Sequence, residues 1–289
     1  MVAANGARFH VATLGDGPLV LLLHGFPEFW WTWRAQLPAL ADAGYRAVAM
    51  DLRGFGASDK PPRGYDPLTL TADVVGIIRS LGAPAATVVG HGLGGLVAWT
   101  AATRHPDQVR AMAAISMPHP RSLRAAVVRE PALLRRSRHL VGFQVPIRPE
   151  RRLVADDGAE VARLLHRWSG GGWPDIDAER RYREAMQIPG VAHCSLESHR
   201  WAVRSIPRPD GLGYMRGMRE PVRVPALHLH GEQDGFLDLG SNQGSARHVT
   251  GPYRWGVIAD AGHFPHEEQP DLVEPELLGW LDDVHHGTA

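Results

Sequence analysis

Residues 88–97 read VVGHGLGGLV. An apolar strand pattern ends here, glycines crowd the next few positions, and a helical pattern, LGGLVAWTAATRHP, opens directly behind them. Gly90-His91-Gly92-Leu93-Gly94 fits G-x-Nu-x-G, the sharp strand-to-helix turn that presents a nucleophile. The flanking glycines are required because so tight a turn leaves no room for neighbouring side chains. Gly92 holds the nucleophile position and brings no side chain to it. Glycine adopts the strained backbone of such a position at little cost, but it has no atom that can bond to a substrate. A phosphate cradle does not fit: the P-loop ending in Lys-Ser/Thr is absent, and the dinucleotide glycine spacing fails.

Outward from the turn, strand and helix patterns alternate. RFHVATLG reads as an edge strand and GPLVLLLHG as a buried strand. WRAQLPALADAG is helical and stops at Gly44; YRAVAMD is a strand. TLTADVVGIIRSLGA is an amphipathic helix with Thr69 or Thr71 as its expected N-cap. AATVVG and VRAMAAIS are further strands. After Ser116 the rhythm breaks into an Arg-rich, helical stretch without buried-strand signals, and PALHLHG and YRWGVIAD then resume the sheet before the closing helix PDLVEPELLGWLDDV. The expected fold is α/β: a mostly parallel central sheet flanked by helices, with a core formed by residues 1–118 and 222–289 and a helical lid inserted at 119–221.

The 289 residues carry 31 Lys plus Arg against 31 Asp plus Glu, and the balance points to neither a nucleic-acid partner nor a membrane surface. The local clusters at Arg135, Arg136 and Arg138 and at Arg151 and Arg152 read as solvated surface. The single cysteine, Cys194, excludes an internal disulfide, and in VAHCSLES it reads as a small packed hydrophobe. Leu19 to Leu23 is too short to cross a bilayer, and no export signal opens the chain, so a cytoplasmic location is expected.

Three more stretches bear on chemistry. HGFPEFW follows a buried strand, and its turn leaves the Phe26 amide free to face an oxyanion. HGEQD and DAGHFPHEE put Asp234 and then His263 on consecutive post-strand loops, the chain order of an acid and a general base behind a nucleophile turn. In DLRGFGASD, by contrast, the glycines read as turn formers and Asp51 as an acceptor for loose backbone donors. His228 and His230 share a strand face as metal ligands can, but packing is the favoured reading and no metal is expected. His285 and His286, at the chain's end, carry no expected role.

Taken together, HGFPEFWWTWRAQLPAL, DLRGFGASDKP, VVGHGLGGLVAW, SMPHP and AGHFPHEEQP resemble the α/β-hydrolase fold, and within it the epoxide hydrolase and haloalkane dehalogenase branch. That resemblance implies an Asp nucleophile that forms an alkyl-enzyme ester, which a His-activated water hydrolyses. It places the His at 263, its acid at Asp234, and the oxyanion donors at the amides of Phe26 and Leu93. GHxLGG also resembles serine esterases, so the lost nucleophile is either Asp or Ser. Two lid tyrosines hold the epoxide oxygen in the family; here His199 fills the slot before Arg200, and His139 is the nearest polar group to the other slot. Tyr182 reads as a packed helix residue. Trp30, His199 and His139 are the expected substrate-binding residues, with no cofactor and a small apolar substrate or ligand as the partner.

Three functions stay open on this reading. One is water-mediated hydrolysis of a small apolar ester, lactone or epoxide by an Asp234–His263 dyad. Another is a catalytically inactive, lidded ligand-binding protein. The third is an active-site variant of an epoxide hydrolase or esterase. The oligomeric state is not legible in the sequence.

Overall fold

The computed structural model describes residues 1–242 and 244–287. A short ribbon pairs β1 (Val2–Ala4) with β2 (Ala7–Phe9). A seven-stranded sheet follows: β3 (Val11–Leu14), β4 (Leu19–Leu23), β5 (Arg46–Met50), β6 (Ala86–His91), β7 (Val109–Ile115), β8 (Ala226–Gly231) and β9 (Tyr253–Ile258), in spatial order β3-β5-β4-β6-β7-β8-β9. Only β3 runs antiparallel to its neighbour; the other pairings are parallel.

The stretch expected as one edge strand, RFHVATLG, is split at His10. Its amide goes to Ser58 Oγ at 2.9 Å rather than to a strand.

Central strands alternate between two apolar layers, as a two-sided buried sheet requires. Leu21, Leu23, Val48, Met50 and Val88 face one layer, into which the helices Pro67–Ser80 and Leu93–Arg104 send Leu70, Val74, Ile77, Val97 and Ala101. Val20, Leu22, Ala47, Ala49 and Val89 face the other, closed by Leu37 and Leu40 of the helix Gln36–Asp42 and by Leu277 and Trp280 of the helix Pro270–His286. Each fully buried leucine contributes about 1.5–3 kcal/mol, so the run Leu19–Leu23 anchors both layers at once.

The helix Pro67–Ser80 starts one turn earlier than the threonines suggest. Asp66 is the N-cap: its carboxylate accepts from the Thr69 amide at 2.9 Å and from Thr69 Oγ1 at 2.6 Å. Thr69 donates to the cap and is not the cap itself.

Between β7 and β8 the described residues form helices from Pro120 to Gly217 and no strand. Cys194 is buried in one of them, Val191–Arg204, as a packed residue. No helix among the described residues is long and apolar enough to cross a membrane.

β4 sends its chain to β5 on one side, while β6 lies on the other, so the strand order reverses between β4 and β6. Their carboxyl ends open the crevice where α/β sheets bind ligands.

Candidate active site

Gly92 sits between β6 and the helix Leu93–Arg104 with φ 50° and ψ −115°, outside the regions open to other residues without strain. The turn is held by Gly92 N donating to Ile115 O at 3.1 Å and Gly94 N donating to His24 O at 3.1 Å. A Cβ on Gly90 would lie 2.1 Å from Gly94 O, and one on Gly94 would lie 2.1 Å from Leu23 O. The flanking glycines are therefore a consequence of backbone meeting backbone. At Gly92 itself there is room: a Cβ would meet only Gly25 Cα at 3.5 Å and His263 Nε2 at 3.8 Å.

His263 comes from the loop after β9, and Asp234 from the loop after β8. Nδ1 of His263 lies 2.8 Å from Asp234 Oδ2. Asp234 Oδ1 accepts from the amides of Phe236 at 2.7 Å and Leu237 at 2.9 Å, which fixes the carboxylate. Burial pushes the Asp234 carboxyl up, but facing His263 and His230 and the Leu237 amide outweigh it and hold the group below its ordinary value. An ionised acceptor on Nδ1 keeps the proton there and leaves the Nε2 lone pair of neutral His263 beside the space above Gly92. Neither the Phe26 amide nor the Leu93 amide donates to another group among the described residues. Both stay available, as oxyanion donors must.

His91 packs behind the turn. Its Nε2 donates to His263 O at 2.8 Å and its Nδ1 lies 2.6 Å from Glu28 Oε2, which also accepts the Gly25 amide at 2.7 Å. Glu28 also accepts from Thr32 Oγ1 at 2.8 Å, and His266 Nε2 lies 3.3 Å from Glu28 Oε1. Both His91 nitrogens thus meet acceptors, which makes it an imidazolium paired with a carboxylate. Burial opposes both charges; the pair nonetheless holds Glu28 well below and His91 above its ordinary value, chiefly through their mutual attraction. A Cβ on Gly25 would come within 2.8 Å of His91 Nδ1 and 2.9 Å of Glu28 Oε2. Glu28, His91 and His266 are the one group of metal-ligand type brought together among the described residues, and hydrogen bonds already occupy it. The sequence reading passed over this network; its signals were the Glu of PEFWW and the His of GHG.

Of the other expected residues, His199 and His139 reach the site. The His199 ring lies 4.9 Å from that of Phe26, and His139 lies 5.0 Å from both Trp168 and Phe236, whose rings flank His263 at 5.8 and 5.2 Å. Trp30 does not: its ring tilts against His10 at 5.7 Å, and its amide donates to Asp51 Oδ1 at 2.8 Å. The reason is local, since that bond to Asp51 holds the start of the turn Trp30–Trp33 against the loop after β5. Asp51 also accepts from the Ala57 amide at 2.9 Å, the backbone-satisfying role read from its sequence.

The site gains three aromatics that sequence reasoning missed, Trp168, Phe143 and Phe236. Phe236 stands two places after Asp234, and Trp168 ends a helix just before SGGG; neither position alone signals a site. Tyr182 is wholly buried against Phe29 and Trp31 and bonded to Glu267. His228 and His230 are packed and bonded to Tyr253 Oη and Leu237 O, at 3.1 and 2.9 Å.

A strand–turn–helix with a vacant tip, an acid–histidine pair on the two loops that follow, and two free amides match a known family. The model of the alpha/beta hydrolase fold matches residues 18–142. Epoxide hydrolase 3 of Xenopus tropicalis is 34% identical over 96% of this chain and 76% of its own length. The chain belongs to the α/β-hydrolase family. The AB hydrolase superfamily protein YfhM of Bacillus subtilis is 33% identical over 97% of this chain and 96% of its own. Among solved structures, epoxide hydrolase A from Mycobacterium thermoresistibile superposes with a TM-score of 0.85 at 30% identity, covering 97% of both chains. Within the α/β hydrolases, then, this chain has epoxide-hydrolase relatives.

Proposed function

We propose that this α/β hydrolase cleaves a small apolar ester or lactone, rather than an epoxide, by direct attack of water, with the helical insertion as its lid. The observation that carries the reading is the 3.8 Å between His263 Nε2 and the Cβ position above Gly92. Water in that space gives its proton to His263 Nε2 as its oxygen attacks the carbonyl carbon. The amides of Phe26 and Leu93 hold the tetrahedral oxyanion. As the intermediate collapses, the C–O bond to the leaving group breaks, and His263 returns the proton to the departing alkoxide. Ionised Asp234 stabilises the imidazolium between the two steps. An oxyanion hole plus substrate binding supports roughly 10³–10⁴-fold acceleration over water without a nucleophile.

The test is a screen of activated esters, lactones and epoxides with His263→Ala as control. Turnover that His263→Ala abolishes, without a burst and without a protein adduct under quench, is expected. In heavy-oxygen water, the label should enter the product acid alone. Wild-type rates no higher than those of His263→Ala on every substrate would end the hydrolytic reading.

A further inference from the structure

The two histidines over the site have a polarity that their hydrogen bonds fix. His199 Nδ1 lies 3.0 Å from Ser195 O, and His139 Nδ1 lies 3.2 Å from Arg136 O. A backbone carbonyl only accepts, so each Nδ1 carries the ring proton and each neutral ring keeps a lone pair on Nε2. His139 Nε2 is buried without a hydrogen-bond partner in the protein. The Phe143 ring joins the two, 5.4 Å from His139 and 5.6 Å from His199, and Phe26 brings His199 to the oxyanion amides. On the far side of these rings a cavity of about 240 Å³ is lined by His139 and Phe143 together with Arg148, Arg152 and Glu160 of the helical insertion.

We propose that His139 and His199 form an acceptor pair that selects a ligand carrying hydroxyl or N–H donors and disfavours one whose oxygens only accept. With donors at the floor, in the Phe26 and Leu93 amides, and acceptors at the roof, the matching substrate is a hydroxylated ester or lactone. This assignment of substrate class rests on the hydrolytic reading; the selection of donors does not. Burial holds both rings neutral in ordinary buffers, lowering His199 to about 4 and His139 to about 3, so neither becomes a second donor there. An epoxide or ether oxygen placed under the pair would face lone pairs on both sides. A hydroxyl would satisfy a buried acceptor that is otherwise unpaired, and leaving such a group unsatisfied is the costly case.

The experiment separates binding from turnover because neither the diol nor its dimethyl ether can be hydrolysed. Binding of 1-phenylethane-1,2-diol and of its dimethyl ether is measured by calorimetry on the full chain, with styrene oxide as competitor. The diol should bind about tenfold more tightly than the ether, and styrene oxide should compete weakly. His139→Phe with His199→Phe keeps ring volume and removes both acceptors, and should bring the two affinities together. His139→Tyr with His199→Tyr replaces acceptors by O–H donors, and should turn the preference towards styrene oxide. Equal affinities for diol and ether in the wild type, a preference for the epoxide, or no saturable diol binding would each overturn the proposal. A diol preference without ester turnover would instead uphold the donor selection and remove the hydrolytic reading.

Discussion

Gly92→Asp puts a carboxylate where the turn now has none. Its Cβ would find ordinary contacts, 3.5 Å to Gly25 Cα and 3.8 Å to His263 Nε2, so packing does not oppose it. The backbone does: φ 50° with ψ −115° costs a non-glycine residue about 1–3 kcal/mol. At roughly 2–4 °C per kcal/mol for a chain in this size range, the melting temperature should fall by several degrees. Activity should move the other way. The new carboxylate would lie beside the His263 lone pair, under the Phe26 and Leu93 amides, and a working nucleophile should then raise turnover of an epoxide or ester by about 10²-fold or more, some 2.7 kcal/mol of barrier. Single turnover of an epoxide in heavy-oxygen water, followed by mass spectrometry of the enzyme, reads the mechanism directly: water attacks the carbonyl of the alkyl-enzyme ester, so label should enter the carboxylate introduced by Gly92→Asp and no other side chain. A variant that melts at the expected lower temperature, yet gains no rate and carries no label on any ester or epoxide, would refute the alignment argued here.

Gly94→Ala drives a methyl to within 2.1 Å of Leu23 O, backbone against backbone, and should cost about 3 kcal/mol or more in urea unfolding. Asp234→Asn should leave the fold intact but lower turnover by about 10³–10⁴-fold, as loss of the carboxylate frees the wrong His263 tautomer; stopped-flow ester hydrolysis checks it. Removing one partner of the buried Glu28–His91 pair should cost about 3–5 kcal/mol, with a defined pH dependence. His91, raised from 6.5, contributes fully below that value and loses its contribution as pH rises through the raised one. Glu28, lowered from 4.5, contributes fully above that value and loses its contribution as pH falls through the lowered one. The stability gap between wild type and His91→Gln should therefore be widest between pH 4.5 and 6.5, and a gap that is flat with pH would contradict the ionised pair.

The centre of the sheet was legible because its inner strands are buried on both faces: Leu19–Leu23 and Ala226–Gly231 leave no solvent side to blur the pattern. The turn at Gly92 and the positions of Asp234 and His263 were legible for a related reason, since post-strand loops keep their chain order in this topology. What the sequence hid depends on groups that meet only in space. Trp168, Phe143 and Phe236 come from segments far apart in the chain, and no periodicity links them. Trp30 misled because an aromatic run directly after a site loop looks continuous with it, whereas its turn heads towards Asp51. Tyr182 packs as its helix position suggested, but that its cover is Phe29 and Trp31 of the loop after β4 could not be read from the chain.

The carbonyl of Trp168 accepts from the His263 amide at 2.8 Å and from the Gly235 amide at 3.2 Å. A Cβ on Gly262 would strike Ser169 and Gly170 within 2.1–2.6 Å. One oxygen of the insertion is therefore a rivet between the loop that carries the acid and the loop that carries the base. The insertion is no detachable module: cutting it out, or grafting it onto another scaffold, takes the rivet with it. A redesigned segment can vary what passes beneath it only while one carbonyl stays at this point.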